Sequence, residues 1–159
     1  DVDLQATITE VRPDGNETFV QNGYMRASAR KLSTDSDNIF KRPSTLLDPI
    51  PTFTEADARR MPRRKFVKVA IPLYYQGHAY RAGSRIRVTI AGPNGQQPVW
   101  SFGEPRPKTG TSKVAIRFRP KRPSVLVLPV IPGFEVPTEL PPCPSLRNQP
   151  CRPYQPIVN

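Results

Sequence analysis

An all-β sandwich is the fold class that this 159-residue sequence predicts, and three observations predict it. Apolar residues recur at every second position in several runs, turn signals separate those runs at short spacing, and helical periodicity is nearly absent. The pattern is clearest over residues 65–90. Val67, Val69, Ile71 and Leu73 alternate with Lys68, Ala70 and Pro72, and after a break Ile86, Val88 and Ile90 alternate with Arg85, Arg87 and Thr89. Such alternation assigns one set to a buried face and the other to water or a partner. Gly77 and Gly83 bracket the connection, so two long strands joined through a bend are expected here.

The remaining elements follow from the same rules. Leu4, Ala6 and Ile8 alternate with Gln5, Thr7 and Thr9, which predicts a half-buried first strand. Pro13-Asp14-Gly15-Asn16 is turn chemistry: Pro presets φ, Asp bonds the local backbone and Gly supplies the left-handed position. A return strand is expected from Thr18 to about Ser28. The Asn16-Glu17-Thr18 sequon falls in this hairpin, where it reads as coincidence.

Over residues 29–64 the alternation dissolves, with Pro43, Pro49, Pro51 and Pro62 as punctuation. One helical turn is expected at 54–59, with Thr54 as cap and Asp57 three residues on. A loop this long in a compact domain is often functional or wraps a neighbour. Gly92-Pro93-Asn94-Gly95 is another turn, and residues 99–102 read as a short strand holding the single Trp. Val114, Ile116 and Phe118 alternate as one more strand. Residues 125–130 are apolar on both faces and read as a strand covered on two sides. The expected organisation is a sandwich domain over 1–133, containing the long loop 29–64, then a Pro-rich tail at 134–159 lying extended on the surface. Propensity alone does not separate an immunoglobulin-like arrangement from a jelly roll.

Net charge is +11, with 24 basic against 13 acidic residues. Such a balance admits nucleic acid, an anionic surface or an acidic protein partner. The densest cluster, Arg59, Arg60, Arg63, Arg64, Lys65 and Lys68, carries no interleaved aromatic before Phe66 and no nucleic-acid-binding motif. A solvated face or docking surface is the expectation, and nucleic acid is not an expected partner. No apolar run approaches the ~18 residues that span a membrane. The chain opens at Asp1 within a strand-like pattern and without Met, so a piece of a longer protein is expected. Cys143 and Cys151 are the two cysteines, too few for a structural zinc site. Their spacing suits a disulfide closing a small loop, which favours an exported, periplasmic or extracellular parent.

Candidate catalytic residues are scarce. A serine nucleophile needs a strained elbow of the form G-x-S-x-G between strand and helix, and Gly83-Ser84 leads into strand residues instead. The single His, His78, lies in an aromatic turn between Tyr75 and Tyr80, where a structural role bonding backbone is expected. No carboxylate cluster or phosphate loop suggests a cofactor or metal site. Catalytic, cofactor and metal residues are therefore none. Gly77, His78, Tyr80 and Gly83 are read as a structural turn. Tyr74, Tyr75, Trp100 and Phe102 are read as interface aromatics, or as a sugar-binding surface if they line a groove.

The run Gly77-His78-Ala79-Tyr80-Arg81-Ala82-Gly83-Ser84-Arg85-Ile86-Arg87-Val88 carries a resemblance. With the opening hairpin, Gly23-Tyr24-Met25-Arg26-Ala27-Ser28 and the closing run at 124–129, it resembles the C-terminal non-catalytic domain of Xaa-Pro dipeptidyl-peptidases and cocaine-esterase-like serine hydrolases. The matches spread over about residues 1–133 in the family's order. The resemblance implies a jelly roll of the galactose-binding-like type. It also implies that the catalytic Ser, Asp and His lie in a separate α/β-hydrolase domain, so none is carried onto this chain. An accessory role is implied, packing on that catalytic domain, shaping its active-site cleft and contributing to homo-oligomer contacts. A carbohydrate-binding module is the alternative function.

Overall fold

The structure, a computed structural model, describes residues 1–93, 113–143 and 151–156. Its regular elements are β1 (Asp3–Val11), β2 (Asn16–Arg26), β3 (Arg85–Ala91) and β4 (Cys151–Pro153), with single 3-10 turns at Ala27–Ala29 and Glu55–Asp57. The strands form one antiparallel sheet in the order β3-β1-β2-β4. Among the described residues the fold is all-β, with almost no helix. Two compact units divide it: Asp1–Leu4, Tyr24–Pro72 and Gly92–Val130 in one, and Gln5–Gly23, Leu73–Ala91 and Ile131–Asn159 in the other.

The second unit, here the sheet unit, is built on the β1–β2 hairpin. Gly15 takes φ +82, the Arg12 N–H donates to Asn16 O at 2.8 Å, and the Asn16 N–H donates to the Asp14 carboxylate at 2.9 Å. Bonds from the Asn16 backbone and side chain hold the Asp14 carboxyl below its ordinary value. The turn chemistry written in the sequence is thus realised residue by residue. Among the described residues of this unit, Ala6, Ile8, Val11 and Val20 are the buried apolar ones. In the β1–β3 ladder Ala6 faces Ile90, Ile8 faces Val88 and Glu10 faces Ile86. β4 comes from the Pro-rich tail and pairs Glu17 with Arg152 and Thr18 with Cys151. Cys143 and Cys151 form a disulfide with Cα atoms 5.6 Å apart. Tyr154 follows directly, its N–H donating to Gly15 O at 2.9 Å.

The first unit, here the loop unit, buries Leu4, Met25, Ala27 and Ile50. Asp3 accepts two bonds from the Arg26 guanidinium at 2.8 Å each, the parallel geometry that suits carboxylate and guanidinium. The stretch from 29 to 64 is held by an isolated Leu32–Pro51 bridge and by Ser33 N–H to Ile50 O at 2.8 Å. The expected helical turn is present as Glu55–Asp57, with Thr54 at its N-cap donating to the Asp57 carboxylate at 2.9 Å. The bond from the Lys31 ammonium, with bonds from Thr52 and Thr54, brings the Asp57 carboxyl down to about 2.

Several expected strands are not strands. Residues 67–73, 113–118 and 125–130 have no ladder, and β3 alone survives of the two strands expected over 65–90. Val125 and Val130 are exposed, contrary to a strand covered on both sides, and Ile86, Val88 and Ile90 are 47%, 43% and 37% exposed. The physical reason is that alternation marks a face that favours cover, whereas a ladder needs a second strand at hydrogen-bonding distance, which alternation does not encode. The expected strand at 99–102 lies outside the described residues.

Candidate functional site

Ser84 and His78, the hydroxyl and the imidazole weighed as catalytic candidates in the sequence, converge on Glu10, which no motif in the sequence marks. β1 is buried on both faces and places Glu10 in register with Leu4, Ala6 and Ile8, where its carboxylate is 1% exposed. The loop before β3 closes over it. The Ser84 N–H donates to Arg81 O at 3.0 Å, forming a tight turn in which Gly83 adopts φ +81. A Cβ at Gly83 would also lie 3.1 Å from Pro13 Cγ, so both conformation and space favour glycine there.

This turn delivers two side chains to one carboxylate. The Ser84 hydroxyl donates to Glu10 Oε1 at 2.6 Å, and His78 Nε2 lies 2.9 Å from Glu10 Oε2. The Arg12 guanidinium adds a charge contact, Nε to Oε2 at 3.6 Å, while its Nη1 donates to Pro141 O at 2.8 Å. Burial on its own pushes the Glu10 carboxyl up. The bonds from Ser84 and His78, with the His78 and Arg12 charges, outweigh it and bring the group below its ordinary value. Tyr80 packs edge-on against His78, ring centroids 4.6 Å apart, and burial followed by the Glu10 charge pushes its hydroxyl up to about 12.

The chemical consequence follows from the order of the groups. Acyl transfer by a triad needs imidazole between hydroxyl and acid, so that the base takes the hydroxyl proton. Here the carboxylate stands between Ser84 and His78 and occupies both. A carboxylate whose basicity is further lowered is a poor acceptor for an alcohol proton. The two bonds tie the 78–84 turn to β1.

A second buried carboxylate, Glu17, does the same for the sheet. Thr9 on β1 donates to its Oε1 at 2.7 Å, while Arg87 on β3 and Arg152 on β4 donate to Oε2 at 3.1 and 3.2 Å. One side chain on β2 therefore bonds all three other strands. Burial raises its carboxyl pKa, but the bonds from Thr9 and Arg152 and the Arg152 and Arg87 charges bring it below the ordinary value. Arg85 and Arg87 also stack over the Tyr154 ring at 5.2 and 5.5 Å, seating the end of the tail.

Of the sequence-derived residues, His78, Tyr80 and Gly83 meet at the Glu10 turn, Gly77 lies within the same loop, and Cys143 and Cys151 close the tail loop. Tyr74 and Tyr75 are exposed, and Trp100 and Phe102 lie outside the described residues. Glu10 and Glu17 went unmarked by sequence reasoning. The available signal was an acidic residue continuing the buried parity of Leu4, Ala6 and Ile8. Among the described residues no set of three potential ligands gathers as for a metal, and no helix is long and apolar enough to cross a membrane.

A β-sheet module whose ionisable groups hold strands and turns together is the class that fold and site define. Residues 1–127 match the X-Pro dipeptidyl-peptidase C-terminal non-catalytic domain, and the chain belongs to that family. No curated protein and no solved structure matches it.

Proposed function

We propose that this chain serves an α/β serine hydrolase of the dipeptidyl-peptidase, esterase or acylase type as its accessory domain. It packs on the catalytic domain and shapes the active-site cleft. The observation that carries this reading is the engagement of His78 and Ser84 by Glu10, which leaves the chain's candidate nucleophile and base in structural use. The half-exposed apolar series Ile86, Val88 and Ile90 on β3 supports a packing role, since an apolar sheet face gains roughly 25 cal/mol per Å² on being covered. Covered by a second layer, the sheet would complete a jelly-roll sandwich. Homo-oligomer contacts are the other use such a face could have.

The test is direct. The isolated chain should not hydrolyse an acyl or Xaa-Pro reporter, and it should co-elute with a separately produced catalytic portion of its parent. Turnover that disappears on His78→Ala would overturn the reading. A sugar-binding module is a second reading, favoured by the exposure of Tyr74 and Tyr75. An oligosaccharide titration followed by Trp100 fluorescence tests it, and a flat response across the panel removes it.

A further inference from the structure

The charge of this protein is not spread evenly. The loop unit holds 18 basic and 8 acidic residues, a net +10, against 6 basic and 5 acidic residues, net +1, in the sheet unit. Within the loop unit the ion-paired carboxylates are taken elsewhere: Asp3 by Arg26, Asp48 by Arg42 and Asp57 by Lys31. Two segments remain basic without a carboxylate partner among the described residues. One carries Arg63, Arg64 and Lys65, the other Arg119, Lys121 and Arg122, and all six are exposed. The two segments meet where the Arg117 guanidinium stacks 3.7 Å over the Phe66 ring.

The second segment is a built turn. The Arg122 N–H donates to Arg119 O at 3.0 Å, the Ser124 hydroxyl donates to Arg117 O at 3.1 Å, and a bridge pairs Arg119 with Arg122. Cross-strand partners share a face, so two like charges are held side by side, a destabilising arrangement that an anion would relieve. Arg64 sits at φ +58, a left-handed conformation that costs a non-glycine residue energy. Phe118 beside the turn is 76% exposed, and Phe66 and Val114 are about half exposed.

We propose that this basic, apolar-centred patch of the loop unit is a docking surface for an acidic protein surface. Phosphate backbones reward cations in a regular track with aromatics free to stack on bases. Here Arg117 occupies one face of Phe66, Phe118 lies beside Pro120 and Pro123, and Val114 is aliphatic, so no regular track of free aromatic faces is offered. That mixture suits a protein interface, where apolar groups form the centre and Arg surrounds it. Charge supplies orientation and encounter rate more than affinity. The inference does not depend on which protein supplies the acidic surface, so it stands or falls separately from the accessory role proposed above.

The test is fluorescence anisotropy on the full chain with four probes. These are a Glu-rich peptide carrying Leu and Phe, poly-glutamate of equal charge, a single-stranded oligonucleotide, and vesicles with anionic lipid. The apolar-containing acidic peptide should bind tightest and weaken severalfold from ~50 to ~300 mM salt as screening sets in. Arg119→Glu with Arg122→Glu should weaken it about tenfold or more, whereas Arg81→Glu in the sheet unit should leave it unchanged. Arg119→Gln with Arg122→Gln, checked for fold by circular dichroism, gives a smaller loss in the same direction. Tighter binding of oligonucleotide or vesicles, equal binding by wild type and a folded charge-reversed variant, or no binding at ~150 mM salt overturns the proposal.

Discussion

The two units of this chain treat charge in opposite ways. In the sheet unit nearly balanced charges are used inward, with Glu10 and Glu17 each 1% exposed and surrounded by donors from different elements. In the loop unit an excess of cations faces outward, and its ion pairs join neighbouring surface segments. The contrast teaches that composition alone misleads. A net +11 reads as one basic protein, yet it resolves into a sheet stabilised by desolvated ion pairs and a loop region that leaves cations for something else.

The contrast can be broken most sharply at Glu17. Glu17→Ala removes the buried acceptor shared by Thr9, Arg87 and Arg152 and should lower stability by about 2 kcal/mol in urea or thermal unfolding, because three cross-strand bonds are lost and the Thr9 hydroxyl is left without its acceptor. An unchanged midpoint would show that the sheet does not depend on it. Reducing the Cys143–Cys151 bond, which spans a sequence separation of 8, should cost about 2.5 kcal/mol and raise hydrogen exchange at β4 before β1. Exchange rising equally in all strands would contradict the local role.

Acid and base should next act on the same sheet. The Glu10 and Glu17 carboxyls lie below their ordinary 4.5 when folded, so the unfolded chain takes up protons first as pH falls. Their stabilisation is complete above about pH 4.5 and is lost as pH drops through the folded values. Tyr80 runs the other way. Raised to about 12 from 10, it contributes below pH 10 and that contribution fades between 10 and 12. A pH series of urea midpoints shows both slopes, and Glu17→Gln should flatten the acid one.

Smaller effects sharpen the comparison further. The Thr18 hydroxyl is fully buried and has no hydrogen-bond partner among the described residues, so Thr18→Val should raise stability by about 1 kcal/mol. A decrease would reveal a partner for that hydroxyl. In the loop unit, Asp57→Asn should leave the unfolding midpoint nearly where it was, since exposed ion pairs with Lys contribute little.

What the sequence made legible was local. The Pro13-Asp14-Gly15-Asn16 turn, the strand at β1, the start of β3 and the single turn at Glu55–Asp57 all follow from interactions between residues close in the chain. But β1 is buried on both faces rather than half-buried, with Gln5 and Thr9 covered as well as Ala6 and Ile8, and the Thr54 side chain bonds Asp57 without capping the turn's backbone. Residues 67–73 and 125–130 carry equally good alternation and yet form no ladder, because pairing depends on a neighbour that their own residues do not specify. The Glu10 cluster was hidden for the same reason. Ser84 lies 74 residues from Glu10 and His78 lies 68 away, and nothing in their spacing says they will share an acid. Family likeness filled part of this gap, since it covers residues 1–127, but it does not reach the tail that supplies β4.

That tail strand has a bearing on how the protein comes into being. Arg152 reaches back across 135 positions to Glu17, so a nascent chain leaving the ribosome can form the first hairpin long before its last acidic anchor is satisfied. Closing so large a loop is entropically slow, and until it closes the edge of β2 and a half-solvated glutamate stay open to water or to another chain. The β2–β4 pairing is thus the longest-range contact on which the sheet depends, and the Cys143–Cys151 bond beside it holds β4 in place once it has paired.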